Sequence, residues 1–495
     1  MMKNKVVVVG AGIGGLASAL QLAHQGYEVE VFETHNFPGG KMRTVDSTAG
    51  PVDAGPTVFT LKHIFDNLFQ AIGEKIEDHL SFKKESLLAR HFWPDGTTLD
   101  LSSNSDQNFK AIKDFGGLKA AKEFENFNKL AKGLYDSFNE PILKSPKPSI
   151  LSSINGTLNS SLKTIPVLLP NRTLANLVKS HFTDERLRQL FSRYATYVGG
   201  SPYESPAILS LIWHAESLGV WKINGGMHKL ATKIAELAEQ RGAQFNFNKS
   251  VSEILINNKK IKGIKLNNGK EIDSNYVIFN GDPNAIFTGL LGKKLKKLVQ
   301  QKSVKDRSLS AYVWTFAAQP SLSNLAHHNV FFNKIYKSEF DDIASGRMPR
   351  DPTLYVCAQD LGKPVEAGAT NKFEIIMNAP PLSNNNLNEE EEFKICHERT
   401  FKNLKSMGLS FEPSPARAAL TTPKIFSQLF PASSGSLYGL NPRKFMTTFL
   451  RPQAQTKIQG LYLTGGGVHP GPGIPMALLS GRHAAAAIVK DQTSI

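Results

Sequence analysis

Four apolar residues, Val6 to Val9, lead into Gly10-Ala-Gly12-Ile-Gly14-Gly15; a helically spaced apolar stretch then reaches about Gln25, and Glu28 to Glu33 alternates. A short apolar run, a glycine turn, a 3.6-residue period and an alternation predict strand, turn, helix, strand, which is a βαβ unit. From about residue 60 to 220 the period is helical and strand signals are few, with a loop-like break at Ser145-Pro-Lys-Pro-Ser-Ile150. That stretch reads as an inserted helical region. The α/β pattern returns at Gly225: Leu230, Ile234, Leu237 and Ala238 fall on one helical face that Gly242 ends. Ile254 to Ile256 and Ile261 to Leu266, with a turn at Asn267-Asn268-Gly269, predict a meander, and Tyr276 to Phe279 predicts a buried strand. Residues 290–450 mix both signals, with breaks such as Ser383-Asn-Asn-Asn-Leu387 and a solvated helix start at Glu389 to Glu392. The chain closes on strand, glycine turn and helix once more, at Leu461 to Leu463, Gly465 to Gly473 and Met476 to Lys490. It carries no internal repeat.

Composition narrows the function classes. At 495 residues, 41% hydrophobic and with a mean hydropathy of -0.24, the chain is globular and too long for one core, so two domains are expected. The balance of 58 Lys+Arg against 43 Asp+Glu gives +15. These cations are spread along the chain without a recognisable module, which argues against nucleic acid and favours anionic lipid. The dense run Lys293, Lys294, Lys296 and Lys297 reads as a solvated helix face or as a contact with headgroups. Two cysteines, Cys357 and Cys396, without metal-ligand spacing exclude a disulfide framework and a zinc motif and fit a reducing cytoplasm. The apolar start from Val6 to Ala23 is broken by four glycines, and no other run approaches the length of a membrane span, so membrane contact is expected to be monotopic.

The glycine turn carries the first chemistry. In Gly10-x-Gly12-x-x-Gly15, Gly10 makes the tight turn, Gly12 lets a pyrophosphate approach the backbone, and Gly15 allows close packing of helix on strand. The helix start offers unpaired N–H groups to phosphate, and Glu33 can accept both hydroxyls of an adenosine ribose. Gly39-Gly40-Lys41-Met42-Arg43 adds a second backbone approach and a guanidinium shaped for phosphate, which favours FAD over NAD. Near the C-terminus, Gly465 to Met476 precedes an alanine-rich helix whose N-terminus could face the O2 side of an isoalloxazine ring. A plain glycine-rich helix entry is the alternative.

Four segments resemble a known family. Ala49-Gly-Pro-Val-Asp-Ala-Gly-Pro-Thr-Val58, Arg193-Tyr-Ala-Thr-Tyr-Val-Gly-Gly-Ser-Pro202, Gly225-Gly-Met227 and His469-Pro-Gly-Pro-Gly-Ile-Pro-Met-Ala-Leu-Leu-Ser-Gly481 are similar to bacterial carotenoid desaturases of the phytoene-desaturase family, within the amine-oxidase-like flavoproteins. The second and part of the first point to the 1-hydroxycarotenoid 3,4-desaturase branch. The resemblance implies a mixed α/β fold: a Rossmann-like FAD-binding domain in segments 1–95, 222–290 and 451–495, a helical, membrane-associated region at 96–221 and a discontinuous substrate domain at 291–450. It implies that Gly10, Gly12, Gly15, Glu33, Lys41 and Arg43 bind the ADP half of FAD, with Val251 on the adenine through its backbone and Asp282 on a second ADP-side loop. Gly55, Pro56 and Thr57 would pass near the ring, and Gly466 and Met476 would hold the ribityl and pyrimidine side. Many relatives carry a carboxylate where Gly466 stands, and Pro472 replaces a small residue, so this chain departs from the pattern at both places.

The implied reaction removes hydride from an acyclic 1-hydroxycarotenoid, leaving a cation delocalised over the polyene, so that proton loss needs no strong base. His469 is the visible candidate for the proton; an imidazole bonded to the glycine turn is the alternative. Phe191, Tyr194, Tyr197 and Trp213 could line the channel or fill a core. One dinucleotide fingerprint argues against NAD(P)H as a partner and leaves membrane quinone or oxygen as electron acceptor. The expected location is cytoplasmic, peripheral to the inner membrane, with contact sought between Ile150 and Phe191, where Ile165-Pro-Val-Leu-Leu-Pro170 lies between Lys163 and Arg172. Other readings in the same family are a phytoene desaturase, a carotenoid isomerase or an oxygenase; a reading from another class is a prenyl-lipid carrier resembling Rab escort and GDP-dissociation-inhibitor proteins.

Overall fold

The computed structural model describes residues 4–148, 172–360, 370–382, 388–443 and 447–493. The membrane contact expected at Ile165 to Pro170 and the break at Ser383 to Leu387 lie outside these residues.

Apolar continuity at Val6 to Val9 is explained by a strand covered on both faces. Lys5–Val9 is the centre of a five-stranded parallel sheet, ordered Leu461–Leu463, Tyr276–Phe279, Lys5–Val9, Glu28–Phe32, Gln244–Asn246. Helix Ile13–His24 follows the first strand, and Glu33 stands one residue beyond the second. The helices Ile13–His24, His228–Gln240 and Ile474–Thr493 cover one side in a shared apolar core. First and last helix touch glycine to glycine: a methyl group at Gly481 would lie 2.1 Å from the Gly14 carbonyl. The meander appears as Val251–Asn257, Lys260–Leu266 and Glu271–Asp273, and the helix expected at Glu389 runs to Ser406, capped by the Asn388 side chain.

A second, larger sheet is mostly antiparallel. Its order is Phe411–Glu412, Ser310–Pro320, Asn371–Ala379, Leu354–Ala358, His328–Phe331, Leu87–Phe92, Thr98–Ser102, with Leu420–Thr421 also on Ser310–Pro320. The strands Leu87–Phe92 and Thr98–Ser102 correct the sequence reading, which saw few strand signals here and counted residues up to 95 with the cofactor domain. Leu87–Phe92 pairs in parallel with His328–Phe331, so it serves the second sheet. One face of this sheet, with Trp314, Phe316, Phe331, Val356, Phe373 and Ile375, packs into an apolar core shared with Glu389–Ser406. The other face turns toward the cofactor side, where Ser310–Pro320 and Asn371–Ala379 meet the short strand Val52–Asp53. The helical region is real: Ser105–Phe138, Leu174–His181, Glu185–Ser192 and Leu211–Ser217 enclose a core rich in aromatic residues. No helix among the described residues is long and apolar enough to cross a membrane.

Candidate functional site

Helix Ile13–His24 begins at Gly12 with no side-chain cap, so the first-turn N–H groups have no side-chain acceptor. Gly15 permits the helix to sit on the turn, since a Cβ there would be 2.2 Å from the Gly10 carbonyl. The second glycine pair arrives where the sequence suggested: Gly12 and Gly39 form a bridge, and the Gly39 N–H donates to the Ala11 carbonyl at 2.8 Å. Glu33 is buried beside them, accepting from the Ala11 N–H at 2.7 Å and the His35 N–H at 2.9 Å. The Lys249 backbone N–H donates to the Glu33 carbonyl at 2.8 Å, which brings the half-buried Val251 to the same end of the sheet.

A group of cations gathers around one carboxylate. Arg307 pairs with Asp282, and Lys41 donates to the Leu437 carbonyl. Burial lowers Lys41 to about 8, against the pull of Asp282 and with the repulsion of Arg307. Burial likewise lowers Arg451 to about 10; its guanidinium donates to the carbonyls of Leu440 at 2.9 Å, Gly466 at 3.1 Å and Tyr438 at 3.2 Å. Three cations therefore share one carboxylate in a poorly solvated cleft, an arrangement that an anion such as a pyrophosphate completes. With the uncapped helix start, the residues present fit FAD.

Two of the side chains expected at the cofactor have partners within the protein. One nitrogen of the Arg43 guanidinium donates to Thr421 on the second sheet at 3.0 Å, the group lies 6.0 Å over the Phe426 ring, and Glu374 acts on it electrostatically. Asp282 spends its carboxylate on Arg307 and on the Asn284 N–H. Gly55 has a packing reason, since a Cβ there would meet the Lys41 carbonyl at 2.0 Å. Pro56 and Thr57 line an open pocket with Met227, Cys357 and Lys372. At Gly466 a side chain would meet little, Pro472 Cα being 3.6 Å away, so glycine leaves that surface bare; Met476 lies in the first turn of the last helix.

His469 is fully buried. Its Nε2 bonds to the Ser145 carbonyl at 2.8 Å, its ring stacks on His483, and His483 bonds to the Lys144 carbonyl. Burial depresses its pKa, and Nδ1 is enclosed without a hydrogen-bond partner. The alternative of an imidazole bonded to the glycine turn is corrected: the partner of this ring is the Ser145 carbonyl. Phe191, Tyr194 and Trp213 are core: all three are wholly buried. Tyr194 and Tyr197 both donate to Glu216, and Arg193 donates to Tyr197 at 3.2 Å.

Sequence reasoning missed the polar side of the second sheet. Cross-strand register places Thr315, Glu374, Cys357 and His328 in one row over four neighbouring strands. Glu374 is wholly buried, its two carboxylate oxygens short of full hydrogen bonds although the Gly55 N–H and Arg43 act on it, and burial raises its pKa far above the ordinary range, helped by Asp53. Thr315 Oγ1 and His328 Nε2 are buried and unpartnered as well, while His328 Nδ1 bonds to the Tyr355 hydroxyl. The ligand atoms of His327, His328 and Cys357 lie within 4.8 Å of one another. Asp53 was inside a quoted motif without a role; it accepts from the Met227 and His228 N–H groups, at 2.6 and 3.1 Å, and starts the helix His228–Gln240. A signal for Glu374 existed: one acidic residue inside the apolar run Phe373-Glu-Ile-Ile-Met377.

Comparison with known proteins gives the family. Residues 13–303 match the family described as flavin containing amine oxidoreductase. The chain is 47% identical to a hydroxyneurosporene desaturase of Cereibacter sphaeroides, covering 99% of this chain and 98% of that one. It is 34% identical to a 1-hydroxycarotenoid 3,4-desaturase of a Flavobacterium species, over 97% and 98% of the two chains. Among solved structures, cyclohexylamine oxidase of Brevibacterium oxydans shares the fold with a TM-score of 0.60 at 15% identity, covering 99% of this chain and 100% of that one. The chain belongs to the flavin containing amine oxidoreductase family and, within it, to the group of hydroxyneurosporene and 1-hydroxycarotenoid desaturases.

Proposed function

We propose that the protein is an FAD-dependent desaturase that introduces the C-3,4 double bond into acyclic 1-hydroxycarotenoids. The observation that carries this is the 47% identity to a hydroxyneurosporene desaturase over nearly the whole of both chains. In this reading Gly10 shapes the turn, its N–H donating to the Phe32 carbonyl at 2.8 Å, while the N–H groups at Gly12 and Gly15, with Lys41 and Arg451, hold the pyrophosphate; Glu33 takes the ribose hydroxyls and Val251 the adenine. Gly55, Pro56 and Thr57 run beside the ring, and Gly466 and Met476 flank the ribityl and pyrimidine side. Asp282 keeps Arg307 beside the cations, and Arg43 ties the cofactor side to the second sheet.

Bound flavin supplies the hydride acceptor. The protein's work is to seat the reacting C–H between the 55–57 loop and the facing sheet and to keep water away while positive charge spreads along the polyene. No strong base is required, and we assign His469 to anchoring the 144–145 segment, because its free nitrogen is sealed. The cofactor domain is drawn from about 1–86, 222–290 and 451–495, with the second sheet as substrate domain. We also propose peripheral contact with the inner membrane from the cytoplasmic side, on the strength of the +15 charge, and membrane quinone or oxygen as electron acceptor.

Mass spectrometry of products tests the reading after reconstitution with FAD and liposomes carrying 1-hydroxylated acyclic carotenoids beside phytoene and lycopene. Loss of two hydrogens from the hydroxylated substrates alone is expected. Desaturated phytoene would replace it with a general phytoene desaturase, an unchanged mass with an isomerase, and gained oxygen with an oxygenase; a colourless protein that extracts lipid would point to a carrier.

A further inference from the structure

The second sheet is inverted on one face: where an apolar surface is expected against the cofactor domain, a row of polar side chains stands buried and unsatisfied. Glu374 is 0% exposed, Thr315 3% and His328 2%. Thr315 Oγ1 and His328 Nε2 have no hydrogen-bond partner among the described residues, and the Glu374 carboxyl meets only the Gly55 N–H and the charge of Arg43, which leave its two oxygens short of full hydrogen bonds. Leaving such groups dry and unpaired is costly, so the row calls for a ligand that brings both a donor and acceptors. A second buried polar group, Arg193 with Tyr194, Tyr197 and Glu216, makes no such demand for a ligand at its carboxylate, because both tyrosines already donate to it.

Position supports a role in substrate recognition. Glu374 faces the Gly55 N–H, Tyr355 lies toward Thr57, and Cys357, between Glu374 and His328 in the row, lines the open pocket with Pro56 and Thr57. The row thus borders the loop assigned above to the flavin ring. In a 1-hydroxylated acyclic carotenoid the carbinol carbon is C1 and the reacting bond is C3–C4, so the hydroxyl must sit next to the reacting carbons, not at the far end of a channel. We propose that Glu374, with Thr315 and His328, binds the hydroxyl of the substrate end group and sets the preference for hydroxylated over plain hydrocarbon ends. An alcohol O–H donates to the Glu374 carboxyl, and its oxygen accepts from Thr315 or His328. The proposal rests on the desaturase reading.

The test uses FAD-loaded protein in liposomes, with flavin content matched by absorbance. KM is measured for a 1-hydroxylated acyclic carotenoid, and the inhibition constant for the same skeleton without hydroxyl. Glu374→Leu is expected to raise KM about tenfold or more while leaving the plain competitor's constant within about threefold. Glu374→Gln, which can still accept and donate, is expected to keep most of the preference. Thr315→Val, the mildest change, should erode the preference less than Glu374→Leu and gives a reading if that variant does not hold flavin. An unchanged ratio of the two constants in Glu374→Leu, or in Thr315→Val where only that variant is folded, overturns the proposal. So does loss of turnover in Glu374→Gln with KM unchanged, which would make Glu374 a proton acceptor. If the unmodified protein turns over no hydroxylated carotenoid, the desaturase reading itself fails; if it does and the ratio stays put, only the row is wrong.

Discussion

Glu33→Gln isolates the charge at the heart of the cofactor cleft. The carboxylate is 7% exposed and offers acceptors only, one oxygen to the Ala11 N–H at 2.7 Å and the other to the His35 N–H at 2.9 Å. Glutamine keeps the shape but turns one oxygen into an NH2 that faces an N–H. One charge-assisted bond is lost and a buried donor is left unpaired, so the apoprotein should lose about 2–4 kcal/mol. Flavin binding suffers in addition, since one ribose hydroxyl meets a donor; a weakening of about tenfold or more is expected. Calorimetry on apoprotein reads the first effect as a lower unfolding temperature, and equilibrium dialysis against FAD reads the second. Equal unfolding temperatures and equal flavin affinities for Glu33→Gln and the unmodified chain would refute the roles given to this carboxylate.

Lys41 links pH to both states in opposite senses. Its folded value of about 8 lies below the ordinary 10.5, so between those values the unfolded chain binds more protons, and apoprotein stability rises with pH across that window. Flavin affinity should fall over the same window as the ammonium discharges; urea midpoints and dialysis, each compared with Lys41→Met, should lose both trends in the variant. Gly55→Ala puts a methyl group 2.0 Å from a backbone carbonyl that cannot yield, and flavin-free or insoluble protein is expected on purification. Trp314→Ala removes a wholly buried indole and its bond to Thr400 at 3.2 Å, and should cost about 3–5 kcal/mol in chemical denaturation while the flavin spectrum of the folded fraction stays unchanged.

Local pattern made the cofactor half of the fold legible. Val6 to Val9, the glycine turn, Glu33 and the closing strand and helix each carry their signal within a few residues, because backbone conformation and phosphate chemistry both act locally there. The second sheet was harder. Leu87–Phe92 has no local mark that its parallel neighbour is His328–Phe331, more than two hundred residues on, so its allegiance could not be read. Side-chain destinations failed for the same reason: Arg43 crosses to Thr421 and His469 to Ser145, partners that only the assembled chain supplies. Glu374 was hidden by the opposite effect. A charge in an apolar strand looks like an exception until the register sets it beside Thr315 and Cys357.

The touch of Gly14 on Gly481 carries a consequence for synthesis. The opening strand, glycine turn and first helix are made at once, but the helix rests on Ile474–Thr493, and the strand Tyr276–Phe279 beside the opening strand has Leu461–Leu463 as its outer neighbour. Contacts of such sequence separation close late. A ribosome-bound chain therefore carries a complete phosphate-binding motif and no finished cleft, so cofactor loading is a post-translational event, and a chain stalled or trimmed before about residue 460 will be colourless even though every residue of the fingerprint is present.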